Sequence, residues 1–185
     1  MTEFFLNNKK VKAKDDETIW TVAKREGIVL PHLCFADKPG YRADGNCRAC
    51  MVSIEGERVL AASCIRKPTE GMKVITNDER STKSRKMVLE LLVTDQPDRE
   101  TSHDPDSHFW NVASSVDVAK SRFDKREKTI VPCEDASHVA MSVNLDACIH
   151  CNLCVRACRE VQVNDVIGMG NRGHHSKVIF DFNDP

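Results

Sequence analysis

The chain has 185 residues, of which 41% are hydrophobic and 5% aromatic, and its net charge is −1. This length allows one ordinary domain or two small ones, and the balanced charge excludes a strongly basic nucleic-acid-binding surface. The N-terminal segment has no apolar stretch that could form a signal peptide or a membrane-spanning helix, so we expect a cytoplasmic protein without membrane insertion. In a reducing compartment, nine cysteines favour metal binding over a disulfide scaffold.

The first part of the chain predicts a small sheet with one helix packed across it. Apolar residues alternate over 3–13, which predicts a β-hairpin. Asp16 or Thr18 can cap a helix that runs to about Glu26 before Gly27. A long loop rich in Gly, Asp and Asn is expected over 34–50. Further strands are predicted at 28–30, 51–55, 58–62 and 73–75.

The rest of the chain is predicted to be helical and irregular. A helix is expected over 79–93, with an apolar side formed by Met87, Val88, Leu91 and Leu92. The proline-rich stretch 94–137 predicts irregular structure with one short helix near 108–119. Residues 138–185 predict a helix from about 153 to 163 and a final strand with the sequence KVIFDF.

The first set of cysteines has the spacing C-x12-C-x2-C-x13-C and comprises Cys34, Cys47, Cys50 and Cys64. Four thiolates are the usual ligands of a [2Fe–2S] cluster. Four small or turn-forming neighbours would let backbone N–H groups approach the sulfurs: Gly40, Gly45, Asn46 and Ala49. Arg42 and Arg48 place positive charge nearby. A four-cysteine zinc site and ordinary buried cysteines are the alternatives.

The second set has the bacterial [4Fe–4S] spacing C-x2-C-x2-C-x3-C and comprises Cys148, Cys151, Cys154 and Cys158. In two-cluster ferredoxins the last cysteine of such a run binds the neighbouring cluster, so Cys158 is the uncertain ligand. It can close its own cluster, Cys133 can serve instead, or the ligand lies beyond Pro185. We favour the last alternative, because the final strand ending in Asn-Asp-Pro suggests an interrupted sequence.

Two stretches resemble the N-terminal region of the alpha subunit of NAD-dependent, molybdenum- or tungsten-containing formate dehydrogenase. They are GYRADGNCRACMVSIEGERVLAASCIRKPTEGMKV and LDACIHCNLCVRACREVQVNDVIGMGNRG. The wider superfamily includes iron–sulfur subunits of complex I and NAD-reducing hydrogenase. The resemblance implies an α+β protein: a β-grasp [2Fe–2S] ferredoxin-like domain (1–78), a helical and irregular connector (79–137) and a partial bacterial-type [4Fe–4S] ferredoxin segment (138–185).

The resemblance also implies an electron-transfer module between a formate/CO2 pterin-metal site and a flavin- and NAD-binding subunit. The implied partners are that subunit, which would bind FMN and NAD, and the remainder of the catalytic subunit, which would carry the molybdenum or tungsten pterin. No catalytic centre is expected within these residues. The alternatives are a relay subunit of an NAD-reducing hydrogenase or complex I-like assembly, and a zinc-stabilised interaction domain.

One departure favours the formate dehydrogenase branch. Complex I-like members place a His and three cysteines after the helix that corresponds to 79–93, whereas the stretch LLVTDQPDRETSHDPDSHFW contains no cysteine. We predict no cluster there.

The remaining candidates have ordinary interpretations. Cys133 is expected to be a buried or incidental thiol. The histidines at 103, 108 and 138 are expected to make structural hydrogen bonds, His150 to lie beside the second cluster facing solvent or a sulfur, and His174 and His175 to lie in a loop. Lys83, Arg85 and Lys86 are expected on a solvated helix face.

Overall fold

The computed structural model describes residues 1–125, 134–139 and 141–180, and a five-stranded sheet forms its N-terminal part. The strands follow the order β2-β1-β5-β3-β4, with β1 and β5 parallel and the other neighbours antiparallel. Asn7 and Asn8 adopt positive φ angles of 48° and 67° and form the turn of the predicted first hairpin. The strands are β1 (Thr2–Leu6), β2 (Lys9–Ala13), β3 (Met51–Ile54), β4 (Ala61–Ala62) and β5 (Lys73–Ile75).

Helix α1 (Ile19–Arg25) packs on this sheet as predicted. The Thr18 hydroxyl accepts a hydrogen bond from the Thr21 amide at 3.3 Å and so caps the N-terminus. The core between α1 and the sheet contains apolar residues from both, among them Ile19, Val22, Phe4 and Val52.

The strand predicted at 28–30 does not form. The Ile28 amide donates to the Ala23 carbonyl at 2.8 Å, so this segment closes the end of α1. Leu30 is buried, and its carbonyl accepts a 3.1 Å hydrogen bond from Trp20 Nε1. Ile28 and Leu30 therefore pack against the first core without pairing in a sheet, whereas Val29 is 90% exposed.

Helix α2 (Glu79–Val93) has the predicted bounds but buries a different face. Its most buried stripe has residues four apart, Ser81, Arg85, Leu89 and Val93. Leu91, predicted to be buried, is 50% exposed, and its predicted apolar neighbours are only half-buried. Leu89 and Val93 pack with α3 (His108–Ser115) and Leu33 in a second apolar core.

The last part of the chain consists of two strand pairs around a short helix. β6 (Glu134–His138) pairs with β7 (Met141–Asn144), and β8 (Ile167–Gly170) pairs with β9 (Lys177–Phe180), both antiparallel. Helix α4 (Leu153–Arg156) continues into a π-helix at Ala157–Val161, close to the predicted 153–163. Short 3₁₀ turns lie at Arg99–Thr101, Leu145–Ala147 and Gly173–His175.

The predicted final strand ends at Phe180 in the described part of the chain, and residues 181–185 lie outside it. Within the described residues, no helix has both the length and the apolar character that crossing a membrane requires.

Candidate iron–sulfur sites

The fold brings the four cysteines of the first set together. Sulfur-to-sulfur hydrogen bonds join Cys34 to Cys47 and to Cys64, and join Cys64 to Cys50. Cys34 and Cys50 are fully buried, and Cys64 is nearly so. The eight described cysteines are all free thiols. Residues distant in the chain therefore form one compact sulfur group inside the N-terminal domain.

Cys50 and Cys64 are positioned by the edge of the sheet. Cys50 directly precedes β3, and Cys64 follows β4, which pairs with β3. Between them Ser63 donates twice to the Cys50 carbonyl, from its amide at 3.2 Å and from its hydroxyl at 2.7 Å. The two cysteines are thus held by strand pairing and by one buried serine.

The loop that carries Cys34 and Cys47 depends on left-handed backbone. Gly45 has φ +65°, and a Cβ there would lie 2.7 Å from Ile65 Cδ1. Any larger residue would force the Ile65 side chain to move, so this position favours glycine for space as well as for backbone angle. Arg48 also has a positive φ, 59°, between Cys47 and Cys50.

Backbone N–H groups point at the sulfurs, as the small residues of this loop predicted. The Cys47 amide donates to Cys34 Sγ at 3.4 Å, and the Ala49 amide to Cys47 Sγ at 3.5 Å. The Asn46 amide also hydrogen-bonds to Cys34. Such donors favour sulfurs that carry negative charge.

The sulfur contacts shift the pKa values of the first set in opposite directions. Hydrogen bonds from Cys47 and Cys64 lower the pKa of Cys34 to about 2. A hydrogen bond from Cys64 lowers the pKa of Cys50 to about 6. The pKa values of Cys47 and Cys64 are raised, chiefly because each donates its proton to Cys34. Since the thiolate is the form that binds metal, the set is chemically prepared for ligation.

The second set is gathered by a tight loop and a short helix. His150 and Asn152 have positive φ angles of 52° and 60°, which turn the chain between its cysteines. Cys154 lies in α4 and Cys158 in the π-helix. Two of the sulfurs accept backbone hydrogen bonds: Cys148 Sγ from the His150 amide at 3.4 Å, and Cys158 Sγ from the Val166 amide at 3.3 Å.

The four sulfurs of the second set are electrostatic neighbours but differ in exposure. Burial raises the pKa of Cys148, and the nearby Cys151 and Cys154 raise it further. Burial likewise raises the pKa of Cys154, followed by contributions from Cys151 and Cys158. Cys158 is buried, whereas Cys154 is exposed. This set therefore lies at the surface of the protein.

The two sets meet at one cavity. Cys47 of the first set and Cys151 of the second both line a cavity of about 350 Å³, whose apolar walls include Leu33, Val88 and Ile149. Cys47 and Ile149 also pack against the second apolar core. The described residues contain no group of three or more His, Cys, Asp or Glu arranged for one metal ion. Iron–sulfur clusters distribute their cysteine ligands over several irons.

The histidines behave as structural residues where their side chains are described. His108 Nε2 lies 2.8 Å from the His32 carbonyl oxygen, and the two rings are 5.2 Å apart, which agrees with the structural role predicted for His108. His103 lines a second cavity of about 260 Å³ with His108 and Trp110. His150 is exposed, and His175 lies in a 3₁₀ turn. Cys133 and the side chains of His138 and His174 lie outside the described residues.

Sequence reasoning missed three polar side chains buried beside the cysteines: Ser63, Arg85 and Arg156. Arg85 was expected on a solvated face but donates to the Thr76 carbonyl. Burial lowers its pKa, against the opposing attraction of Asp78 and Cys50. Ser63 adjoins Cys64, and Arg156 falls between Cys154 and Cys158. For Ser63 and Arg156, this position beside a cysteine is the only feature of the sequence that could have predicted their burial. No feature of the sequence predicted the burial of Arg85.

Comparison with known proteins assigns the N-terminal domain. Residues 1–79 match the model of a family described as a 2Fe-2S iron-sulfur cluster binding domain. Residues 1–79 are therefore a domain of the 2Fe-2S-binding type, with mixed α/β structure.

The particular relatives are subunits of NAD(P)-linked complexes. The chain is 29% identical over 178 residues to the NADP-reducing hydrogenase subunit HndD of Solidesulfovibrio fructosivorans, covering 94% of this chain and 30% of that protein. It is 28% identical over 182 residues to the mitochondrial NADH-ubiquinone oxidoreductase 78 kDa subunit of Candida albicans. That match covers 95% of this chain and 24% of the Candida protein. The [2Fe–2S] domain is thus related to those of NADH–quinone oxidoreductase and hydrogenase subunits.

A solved structure agrees with this relationship. A chain of an NAD⁺-reducing [NiFe]-hydrogenase in the H2-reduced state superposes with a TM-score of 0.82 at 26% identity, covering 97% of this chain and 74% of that one. This chain spans only 24–30% of the two curated relatives described above. None of these relatives is a formate dehydrogenase, so the predicted alternative, hydrogenase or complex I-like, fits better than the formate dehydrogenase prediction.

Proposed function

We propose that the chain is the electron-transfer module of an NAD-linked, multisubunit oxidoreductase of the hydrogenase or NADH–quinone oxidoreductase type. The observation that carries this proposal is the buried sulfur network of the first set, within a domain that matches a [2Fe–2S] family. A partner subunit that exchanges electrons with NAD through a flavin is part of the proposal.

The first proposed site is a [2Fe–2S] cluster held by Cys34, Cys47, Cys50 and Cys64. Burial of Cys34 and Cys50 excludes water from the sulfurs, and the amides of Cys47 and Ala49 stabilise negative charge on them. When bound, the cluster supplies reversible one-electron transfer. The amide donors favour the more negative reduced state and so raise the reduction potential.

The second proposed site is a [4Fe–4S] cluster held by Cys148, Cys151, Cys154 and Cys158. The sequence left the fourth ligand open and favoured one beyond Pro185. The burial of Cys158 and its electrostatic contact with Cys154 now support Cys158 as the fourth ligand. The π-helix supports this as well, because such turns commonly place functional side chains.

The cavity shared by Cys47 and Cys151 supports electron transfer between the two sites. Leu33 and Ile149 line it with apolar surface. The cavity places one cysteine of each set at the same surface, which is the observation that supports transfer between them.

The domain division 1–78, 79–137 and 138–185 remains part of the proposal, and the family match over 1–79 supports its first boundary. Formate dehydrogenase remains the second candidate because residues 94–132 contain no cysteine. In that case the partners would be the remainder of its pterin-containing catalytic subunit and a flavin- and NAD-binding subunit.

Iron and acid-labile sulfide analysis, with EPR of the anaerobically reduced chain, tests the two sites. The proposal expects about six irons per chain and two distinct EPR signals. Zinc in place of iron contradicts it, and so does an iron content of about two.

Purification of the native complex, followed by metal analysis, separates the two candidate functions. Co-purifying nickel, or iron in excess of the chain's own, with hydrogen- or quinone-linked NAD turnover supports the first candidate. Molybdenum or tungsten with formate-dependent NAD reduction supports the second and refutes the first.

A further inference from the structure

Arg156 lies within the second cysteine set, but its guanidinium contacts the loop of the first. Its Nη2 donates to the carbonyl of Cys34 and its Nη1 to the carbonyl of Arg42, both at 2.5 Å. Its Nε lies 3.2 Å from Asp44 Oδ2. The residue is 5% exposed, so this charge is held inside the protein. One side chain from α4 thus joins three groups of the 34–47 loop.

A second layer of ion pairs surrounds this contact. Arg42 donates to Glu160 Oε1 from Nη2 at 2.8 Å and from Nε at 3.1 Å. Arg42 Nη1 also lies 2.6 Å from Asp44 Oδ1. Arg42 and Asp44 belong to the first loop, whereas Arg156 and Glu160 belong to α4 and the π-helix. Since Arg42 is largely exposed, its pairs contribute little energy, and Arg156 is the principal connection.

The contact needs arginine rather than another cation. A guanidinium presents donors in a fixed planar fork, so it can donate to two carbonyls at once while its charge pairs with a carboxylate. An ammonium on a flexible stem keeps the charge but cannot hold the two carbonyls in this geometry. Removing the side chain leaves the buried carbonyl of Cys34 and the part-buried carbonyl of Arg42 without this donor.

We propose that Arg156 is a positioning residue that couples the two cysteine sets. It fixes the backbone of Cys34 relative to α4, and its positive charge favours the reduced state of the centre held by the first set. If the first set holds a [2Fe–2S] cluster, one electron taken up from an external reductant would add one negative charge beside Cys34, and the Arg156 guanidinium would favour that state. This inference rests on the proposed function, because it concerns the same two sites.

The test uses the full chain with both clusters loaded and compares R156Q with R159Q. Arg159 is a matched control because it lies on the same helical segment, is exposed, and pairs with Asp165 at 2.7 Å. An EPR-monitored redox titration measures the potential of the first centre. For R156Q we expect the equilibrium constant for its reduction to fall about tenfold, a shift of about 59 mV to more negative potential for one electron. R159Q should leave that potential unchanged.

A second measurement separates charge from position. In R156K the charge remains, so the first-centre potential should return most of the way to wild type. Amide hydrogen exchange over residues 34–47 should nevertheless rise in both R156K and R156Q, and not in R159Q. A purely structural role would move the exchange but not the potential. If R156Q does not retain its clusters, R156M takes its place: it also lacks the charge, and the same shift of about 59 mV to more negative potential is expected.

The inference is overturned if R156Q keeps the wild-type potential of the first centre, whether or not the exchange rises, or if R159Q shifts the first centre equally. Failure of the proposed function looks different. In that case the wild-type chain itself lacks the [2Fe–2S] signal after anaerobic iron and sulfide loading.

Discussion

The hydroxyl of Ser63 donates a 2.7 Å hydrogen bond to the carbonyl oxygen of Cys50, and both residues are fully buried. Cys64 is the next residue after this serine, so one side chain ties the cysteine before β3 to the cysteine after β4. This hydrogen bond therefore fixes the separation of Cys50 and Cys64 at the edge of the sheet.

Replacing Ser63 by Ala should destabilise the apo chain by about 1 kcal/mol, because the Cys50 carbonyl keeps its amide donor but loses the hydroxyl. Urea denaturation followed by circular dichroism measures this. Ser142→Ala provides the control, because Ser142 lies exposed in β7. Equal midpoints for the two variants would show that the buried hydroxyl contributes nothing.

Gly45→Ala should disrupt the first loop more than Gly56→Ala disrupts the β3–β4 connection. Both glycines have positive φ, so each alanine incurs a backbone cost of about 1–2 kcal/mol. Only at Gly45 does the new Cβ meet a side chain, Ile65, and overpacking adds about 1–3 kcal/mol. Thermal unfolding and iron retention report the difference.

The double variant Gly45→Ala with Ile65→Ala checks this cause. Ile65 is 47% exposed, so its truncation alone should cost little. If the double variant is no more stable than Gly45→Ala alone, the contact with Ile65 is not responsible.

Single ligand substitutions should remove one centre and spare the other. Cys50→Ser is expected to lower the iron content from about six to about four per chain, and Cys151→Ser to about two. EPR should lose the corresponding signal in each case. Cys133→Ser is the matched control, with full iron content expected. A joint loss of both signals from either ligand variant would contradict two separate sites.

Arg85→Ala should destabilise the chain by about 1.5–3 kcal/mol, since it removes a charged hydrogen bond to the Thr76 carbonyl in a buried position. Lys86→Ala, one residue along and exposed, should change stability by less than about 0.5 kcal/mol. Denaturant midpoints for the two variants give the comparison. Similar midpoints for the two variants would show that the buried hydrogen bond of Arg85 contributes no more stability than an exposed lysine does.

Local chemistry explains which parts of the fold could be predicted. Thr18 and Gly27 bracket α1 because capping and left-handed backbone depend on neighbouring residues only. The bounds of α2 were correct for the same reason. Its buried face was wrong, because Arg85 reaches the Thr76 carbonyl that terminates β5, and no pattern within 79–93 reveals that acceptor.

In the candidate sites too, features set by neighbouring residues could be predicted and contacts between distant segments could not. Cysteine spacing grouped each set, and the structure brings the first set into direct contact and the second into electrostatic contact. The contact between Arg156 and Cys34 was missed because it depends on how two distant segments pack. The absence of cysteines directly after α2 favoured formate dehydrogenase, yet subunits of hydrogenase and NADH–ubiquinone oxidoreductase are among the relatives found. That absence therefore did not separate the two branches.

The strand order of the N-terminal sheet sets the order in which the domain can be built. β1 is synthesised before the other strands of this sheet, yet one of its edges pairs with β5, through Phe5 with Lys73 and Leu6 with Val74. Pairings between residues so distant in sequence form late in folding. The free edge of β1 consequently stays unpaired until β5, which follows Cys64, has been synthesised. All four cysteines of the first set are then already present. Synthesis itself thus delays closure of the domain until its full complement of thiols is present.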